Sequence, residues 1–186
     1  TTIIITRQKI YFMIALYIVL GIIAFLLIAS LFISKDMKAT REIIIDKPKG
    51  EVFNYIKYLK NQDNFSKWAS MDPNMKKEYR GTDATVGFVS AWEGNKKVGQ
   101  GEQEIKGIEE GKKVDYELRF VKPFKSVAKA VMTTEAINDN TTKVGWSFES
   151  QMNYPMNIMK LFMNMDKAIG DDFSTGLTNL KAVLEK

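Results

Sequence analysis

The chain contains no cysteine and no histidine. The first absence removes thiol nucleophiles, disulfides and thiolate metal sites. The second removes imidazole, and with it Ser-His and Cys-His catalysis and zinc sites of the usual kind. A chain without thiols avoids oxidation chemistry altogether, which suits either side of a bacterial membrane. Proline is scarce, with four residues in 186, and Pro48, Pro73, Pro123 and Pro155 therefore stand out as breaks in regular structure. Charge of one sign is lacking as well. The net charge is +5, and with Arg7 and Lys9 set aside, residues 35–186 carry 25 basic and 22 acidic side chains. These alternate, as in Lys112-Lys113-Val114-Asp115-Tyr116-Glu117, whereas a nucleic-acid surface gathers Lys and Arg on one face with aromatics between. Nucleic acid is not expected as a partner.

What the sequence has in excess is an uncharged apolar run of 25 residues, Ile10 to Ser34. About 20 helical residues cross a hydrocarbon core of about 30 Å, and a somewhat longer run does so with tilt. A signal peptide would have an apolar region of only about 7–15 residues ending at a small-x-small site, which Ala29-Ser30-Leu31 does not supply. A buried core helix would show a polar face, and none appears. The reading is a basic N-terminal tail (1–9), a transmembrane anchor (10–34) and one domain (35–186) of ordinary size. The expected environment is the lipid bilayer of the cell inner membrane, crossed once, with other transmembrane subunits as further partners. Lys and Arg flank the run almost evenly. A short basic tail before the first apolar segment usually stays cytoplasmic, which points to a periplasmic domain.

After the anchor, residues 39–45 read as a strand. Asp46-Lys47-Pro48 then opens a helix with Asp46 as cap and Val52, Phe53, Ile56 and Leu59 at helical spacing. From Lys76 to Gln151 the period becomes two. Val86, Phe88, Ser90 and Trp92 share a face, as do Val114, Tyr116, Leu118 and Phe120, and then Val144, Trp146 and Phe148. Turn signals divide this stretch into about six antiparallel strands with one apolar face. Phe162, Ile169, Phe173, Leu177, Leu180 and Leu184 form a final helical stripe about 22 residues long. Strand, helix, many strands and a long helix make an α+β layer architecture.

The block Val52-Phe53-Asn54-Tyr55-Ile56, then Asn64-Phe65-Ser66-Lys67-Trp68, Val86-Gly87-Phe88, Trp92-Glu93-Gly94, Gly99-Gln100-Gly101 and the Asp172-Phe173 to Leu180 tail resemble the START-like (SRPBCC) superfamily, in its polyketide cyclase/dehydrase branch. The resemblance covers about residues 39–186. It implies a helix-grip fold, in which a curved seven-stranded antiparallel sheet wraps the long C-terminal helix and leaves a cavity for an apolar small molecule. It brings no catalytic residue and no cofactor that carries over, and its usual members lack the transmembrane helix.

Fragments that imitate active sites fail on inspection. Gly145-Trp146-Ser147-Phe148-Glu149 begins like a nucleophile elbow but lacks the second glycine and any histidine. Gly99-Gln100-Gly101 lacks the third glycine of a dinucleotide loop and leads into no helix. Glu102 and Glu104 share a strand face, as solvated like charges often do. Trp68, Phe88, Trp92, Tyr116, Phe120, Trp146 and Phe148 converge on the concave face, either as packed core or as the wall of a pocket. Gly170 and Gly176 in the covering helix are expected to leave space beneath them. Met156, Met159 and Met163 fall at i, i+3 and i+7 in a stretch holding half of all the methionines. Flexible, polarizable thioethers recur on adaptable surfaces, so this stripe reads as the cavity's rim, a lip resting on the membrane, a docking site or core filler.

Overall fold

The computed structural model describes residues 2–186, with side chains from Lys9 onward. Thr1 and the side chains of most of the expected basic tail lie outside that range. The described chain forms two compact units. One holds the first 35 residues together with Met152–Asn164, and the other holds Asp36–Gln151 with Met165–Lys186.

In the first unit, α1 (Thr2–Ser30) is a single helix. Its stretch Lys9–Ser30, 22 residues, is long and apolar enough to cross a membrane. The helix stops at Ser30, short of the expected Ser34, because Leu31, Phe32 and Ile33 donate to carbonyls three residues back and tighten the chain into turns. A short 3-10 helix, Met156–Leu161, belongs to the same unit.

The second unit is a seven-stranded antiparallel sheet in the order β1-β7-β6-β5-β4-β3-β2. The strands are β1 (Asp36–Ile45), β2 (Lys76–Arg80), β3 (Val89–Glu93), β4 (Gln100–Glu109), β5 (Lys113–Lys122), β6 (Ser126–Asn138) and β7 (Thr141–Gln151). Six strands between Lys76 and Gln151, β2 to β7, are what the period-two stretch predicts. β3 begins only at Val89, so Val86 lies in a loop and is exposed rather than facing inward with Phe88. Between β1 and β2 come α2 (Lys49–Ile56), a 3-10 helix (Leu59–Asn64) and α3 (Lys67–Ser70). α2 starts after Pro48 with no side-chain cap, so the expected capping by Asp46 is not made. The carboxylate of Asp83 instead receives the Leu59 and Lys60 amides at 2.8 and 3.1 Å, at the start of the 3-10 helix.

The C-terminal helix α4 (Met165–Leu184) lies on the concave face of the sheet. It begins three residues after Phe162, which is exposed and takes no part in the stripe. Its second half carries the packing: Gly176, Leu177, Leu180 and Leu184 are buried. The three leucines join Val52, Phe53 and Ile56 of α2 and Ile105, Val114, Met132 and Val144 of the sheet in one core. The helix is pinned along β1 by polar contacts. Arg41 grips Asp166 through its carboxylate oxygens at 3.2 Å and its carbonyl at 3.1 Å, and Lys181 donates to the Ile44 carbonyl at 2.7 Å.

The space expected beneath the two helix glycines is filled. The Arg41 guanidinium occupies the position a side chain at Gly170 would take, and a Cβ at Gly176 would stand 2.9 Å from Cζ3 of Trp146. These glycines permit close approach; they do not create a void. Gly176→Val should therefore force the indole and the helix apart and cost about 1–3 kcal/mol, as overpacked cores do. Urea unfolding of the chain in mild detergent, followed by near-ultraviolet circular dichroism, measures this, and an unchanged midpoint contradicts the contact.

Candidate functional site

Between the sheet and the first half of α4, within the second unit, lies a cavity of about 400 Å³. Strand alternation builds its wall. Leu118 and Phe120 point inward from β5, Ser90 and Trp92 from β3, and Trp146, Phe148 and Ser150 from β7. Small residues separate the large ones. Gly101 pairs with Trp92 on one side and Phe120 on the other. A Cβ at Gly101 would lie 2.7 Å from the Trp92 ring, so the bare backbone lets the indole lie across β4 and meet Phe120 edge-on, at 5.9 Å and 77°. Ala130 likewise stands between Tyr116 and Phe148 in register. Large rings spaced by Gly, Ala and Ser leave a concave surface that α4 does not fill.

The lid is α4 itself, through Met165, Ile169 and Phe173, with Leu59 and Trp68 closing the side. Phe173 stacks on Trp146 at 4.5 Å and 4°, and Phe65 meets the same indole edge-on at 5.8 Å. The indole nitrogens of Trp92 and Trp146 are buried, and neither has a hydrogen-bond partner among the described residues.

Of the ten residues expected at the site, Trp68, Trp92, Phe120, Trp146 and Phe148 line this cavity. They include all three tryptophans of the chain. Phe88 and Tyr116 do not line it. Both are fully buried in the core, Phe88 stacked on Tyr79 at 6.1 Å and Tyr116 donating to the Ile56 carbonyl at 3.3 Å. Met156, Met159 and Met163 belong to the other unit. Leu118, Ile169 and Phe173 share the periodic stripes that the sequence displays. Leu59, set by the sequence at helical spacing with Ile56, lines it from the 3-10 helix that follows α2, whereas Gln62 from the same 3-10 helix and Val98 from a loop carry no periodic signal.

Both carboxylates in the wall are engaged by lysines. Lys67 reaches Asp172 at 2.5 Å, which raises its pKa, and Lys77 pairs with Asp63. Burial raises the Tyr116 hydroxyl well above its ordinary range, so it stays protonated. Among the described residues no three acidic side chains converge as metal ligands. On the opposite face of the sheet, Arg119 bridges Glu102 and Glu104 at 2.7 Å each and Glu117 at 2.5 Å. Hydrogen bonds from Arg119, aided by Arg80 at Glu102 and Lys106 at Glu104, hold both carboxyls below their usual range.

The sequence profile of a family described as "Polyketide cyclase / dehydrase and lipid transport" matches residues 36–185. The chain belongs to this family. Solved structures place the polyketide cyclase / dehydrase and lipid transport domain in the helix-grip, START-like fold that the motifs imply. Truncated norcoclaurine synthase from Thalictrum flavum is 6% identical with a TM-score of 0.64, the match covering 81% of this chain and 94% of that one. The same plant's enzyme in complex with dopamine and hydroxybenzaldehyde is 9% identical with a TM-score of 0.59, over 85% and 92%. A protein from Chromobacterium violaceum is 10% identical with a TM-score of 0.56, over 80% and 97%. At such identities the likeness is one of fold. No curated protein matches the sequence.

The Arg119 network sets a pH dependence. Glu102 and Glu104 have folded pKa values below their unfolded ones, so their stabilisation is present above the unfolded value of about 4.3 and is lost as pH falls through the lowered folded values. Arg119→Gln should cost about 1 kcal/mol at neutral pH, in keeping with partly exposed ion pairs, and should flatten the acid limb of stability. Urea midpoints at neutral and acid pH measure both, and an unchanged acid slope contradicts the assignment.

Proposed function

We propose that this protein is a membrane-anchored binding protein that takes a lipid-like or other apolar small molecule into the cavity of its helix-grip domain, without chemistry. The observation that carries this reading is the cavity, about 400 Å³ and walled by all three tryptophans. Ligand sites run from about 300 to 1,000 Å³ with apolar walls and a few polar groups. Both carboxylates in the wall, Asp63 and Asp172, are paired with lysines, and the chain has no histidine or cysteine to act as base or nucleophile. The family's description includes lipid transport, and the Thalictrum enzyme holds two small aromatic molecules in the same fold.

The span Lys9–Ser30 supports the anchor: 22 residues at 1.5 Å each reach about 33 Å, enough for a hydrocarbon core. It tethers the binding domain to the inner membrane, on the periplasmic side, where an apolar ligand is concentrated in the bilayer.

Because every tryptophan lines the cavity, intrinsic emission reports on it without background. Titrating a long-chain fatty acid or an environment-sensitive dye into the chain in mild detergent should change that emission saturably. Trp92→Ala should weaken binding about tenfold, or about 1.4 kcal/mol. Emission that stays constant up to the ligand's solubility limit contradicts the reading and favours a domain that serves only to dock another membrane subunit.

A further inference from the structure

The segment 152–164 is absent from the binding cavity and packs instead on the end of α1, within the first unit. The last carbonyls of a helix have no partner of their own. Here the protein supplies them. Ser30 Oγ donates to Leu27 O at 2.7 Å, and the Leu31 and Phe32 amides serve the carbonyls of Ile28 and Ala29 at 3.1 Å each. Asn157 then reaches in from the segment, with its side-chain nitrogen donating to Ser30 O at 2.7 Å and to Ile33 O at 2.8 Å. Lys160 donates to Ser34 O, and the Met152 amide to Lys35 O, both at 2.8 Å. Asn157 is fully buried in this arrangement. A helix end in bulk water has its carbonyls satisfied by solvent. One in the low-water layer of a bilayer must find donors in the protein, or leave each carbonyl at a cost of several kcal/mol.

The surface of the segment has the matching composition. Residues 152–164 contain no acid and one lysine. Tyr154, Met156, Leu161, Phe162 and Met163 are exposed, Phe162 at 77%, as are Leu31 and Phe32 at the end of α1. A soluble surface seldom gathers large apolar side chains in this way. Aromatic and apolar residues with lysine among them are what the interfacial layer between headgroups and acyl chains receives.

We infer that the segment 152–164 is a second membrane contact, seated in the interfacial layer of the leaflet where α1 ends, with Tyr154, Leu161, Phe162 and Met163 inserted among the lipids and Lys160 at the headgroups. This rests on the reading that α1 spans the bilayer. Its hydrogen bonds to residues 30–35 hold the segment at the depth of the helix end. Met163 of the methionine stripe is thereby assigned to lipid contact.

The absence of cysteine makes the test direct, because a single introduced cysteine takes a single label. Full-length chains carrying Phe162→Cys, Leu161→Cys or Ile18→Cys are labelled with an environment-sensitive fluorophore and reconstituted into vesicles of phosphatidylcholine and phosphatidylglycerol. Some vesicles carry a nitroxide high on the acyl chain, others a nitroxide near its end. The labels at positions 162 and 161 should lose most of their emission to the high nitroxide and little to aqueous iodide, while the label at position 18 responds most to the deep nitroxide. If the label at position 18 is quenched at depth but those at 161 and 162 respond to iodide and not to lipid nitroxide, the second contact is overturned and the span stands. If no label responds to lipid nitroxide, the span fails and the inference falls with it.

Discussion

The stacking of Trp146 on Phe173 decides how the C-terminal helix lies on the sheet. At 4.5 Å and nearly parallel, with Phe65 against the indole edge and Gly176 beneath it, the ring is clamped between β7, α4 and the loop after the 3-10 helix. Aromatic pairs of this kind contribute about 0.5–1.5 kcal/mol beyond the area they bury. Their positional effect is larger. The indole and the Phe173 ring lie between α4 and β7 at that point, and beyond it Leu177, Leu180 and Leu184 enter the core. On the near side of the indole, where Arg41 of β1 holds Asp166, Met165 and Ile169 face the cavity.

Core formation and cavity formation are thus two ends of one helix. The far end is sealed by α2 and by fully buried side chains such as Phe53, Tyr116 and Met132, and it supplies the stability that a partly empty domain needs, since an unfilled volume forfeits dispersion contacts along its lining. The near end is bounded by Trp92 lying across Gly101, by Phe120 and Phe148, and by the Lys67–Asp172 pair that ties α3 to α4. An apolar molecule entering there would regain the missing contacts, which is the physical basis for binding without chemistry.

The strands were legible because each half-buried one alternates faces with period two, and β5 and β7 announce Leu118, Phe120, Trp146 and Phe148 on that basis alone. Period gives the face and not the depth. Phe88 and Tyr116 share the inward face with the cavity residues, yet sit under α2 and the 3-10 helix, where the space is filled. The helix glycines misled for a related reason: a missing side chain leaves room, but the sequence does not show that Arg41 or Trp146 takes it. The methionine stretch was the least legible. Its place is set by hydrogen bonds from Asn157 to Ser30 and Ile33, across more than 120 residues, and no local spacing encodes such a contact.

The central claim is that the space under the first half of α4 receives an apolar ligand, and fluorine resonances of the chain labelled with 5-fluorotryptophan test it most directly. Each of Trp68, Trp92 and Trp146 gives one signal from the cavity wall. Titration with a long-chain fatty acid in detergent micelles is predicted to shift all three signals with a common saturation curve, while a matched detergent blank leaves them in place. Three signals unmoved by the fatty acid, or moved equally by the blank, would contradict a ligand-binding cavity.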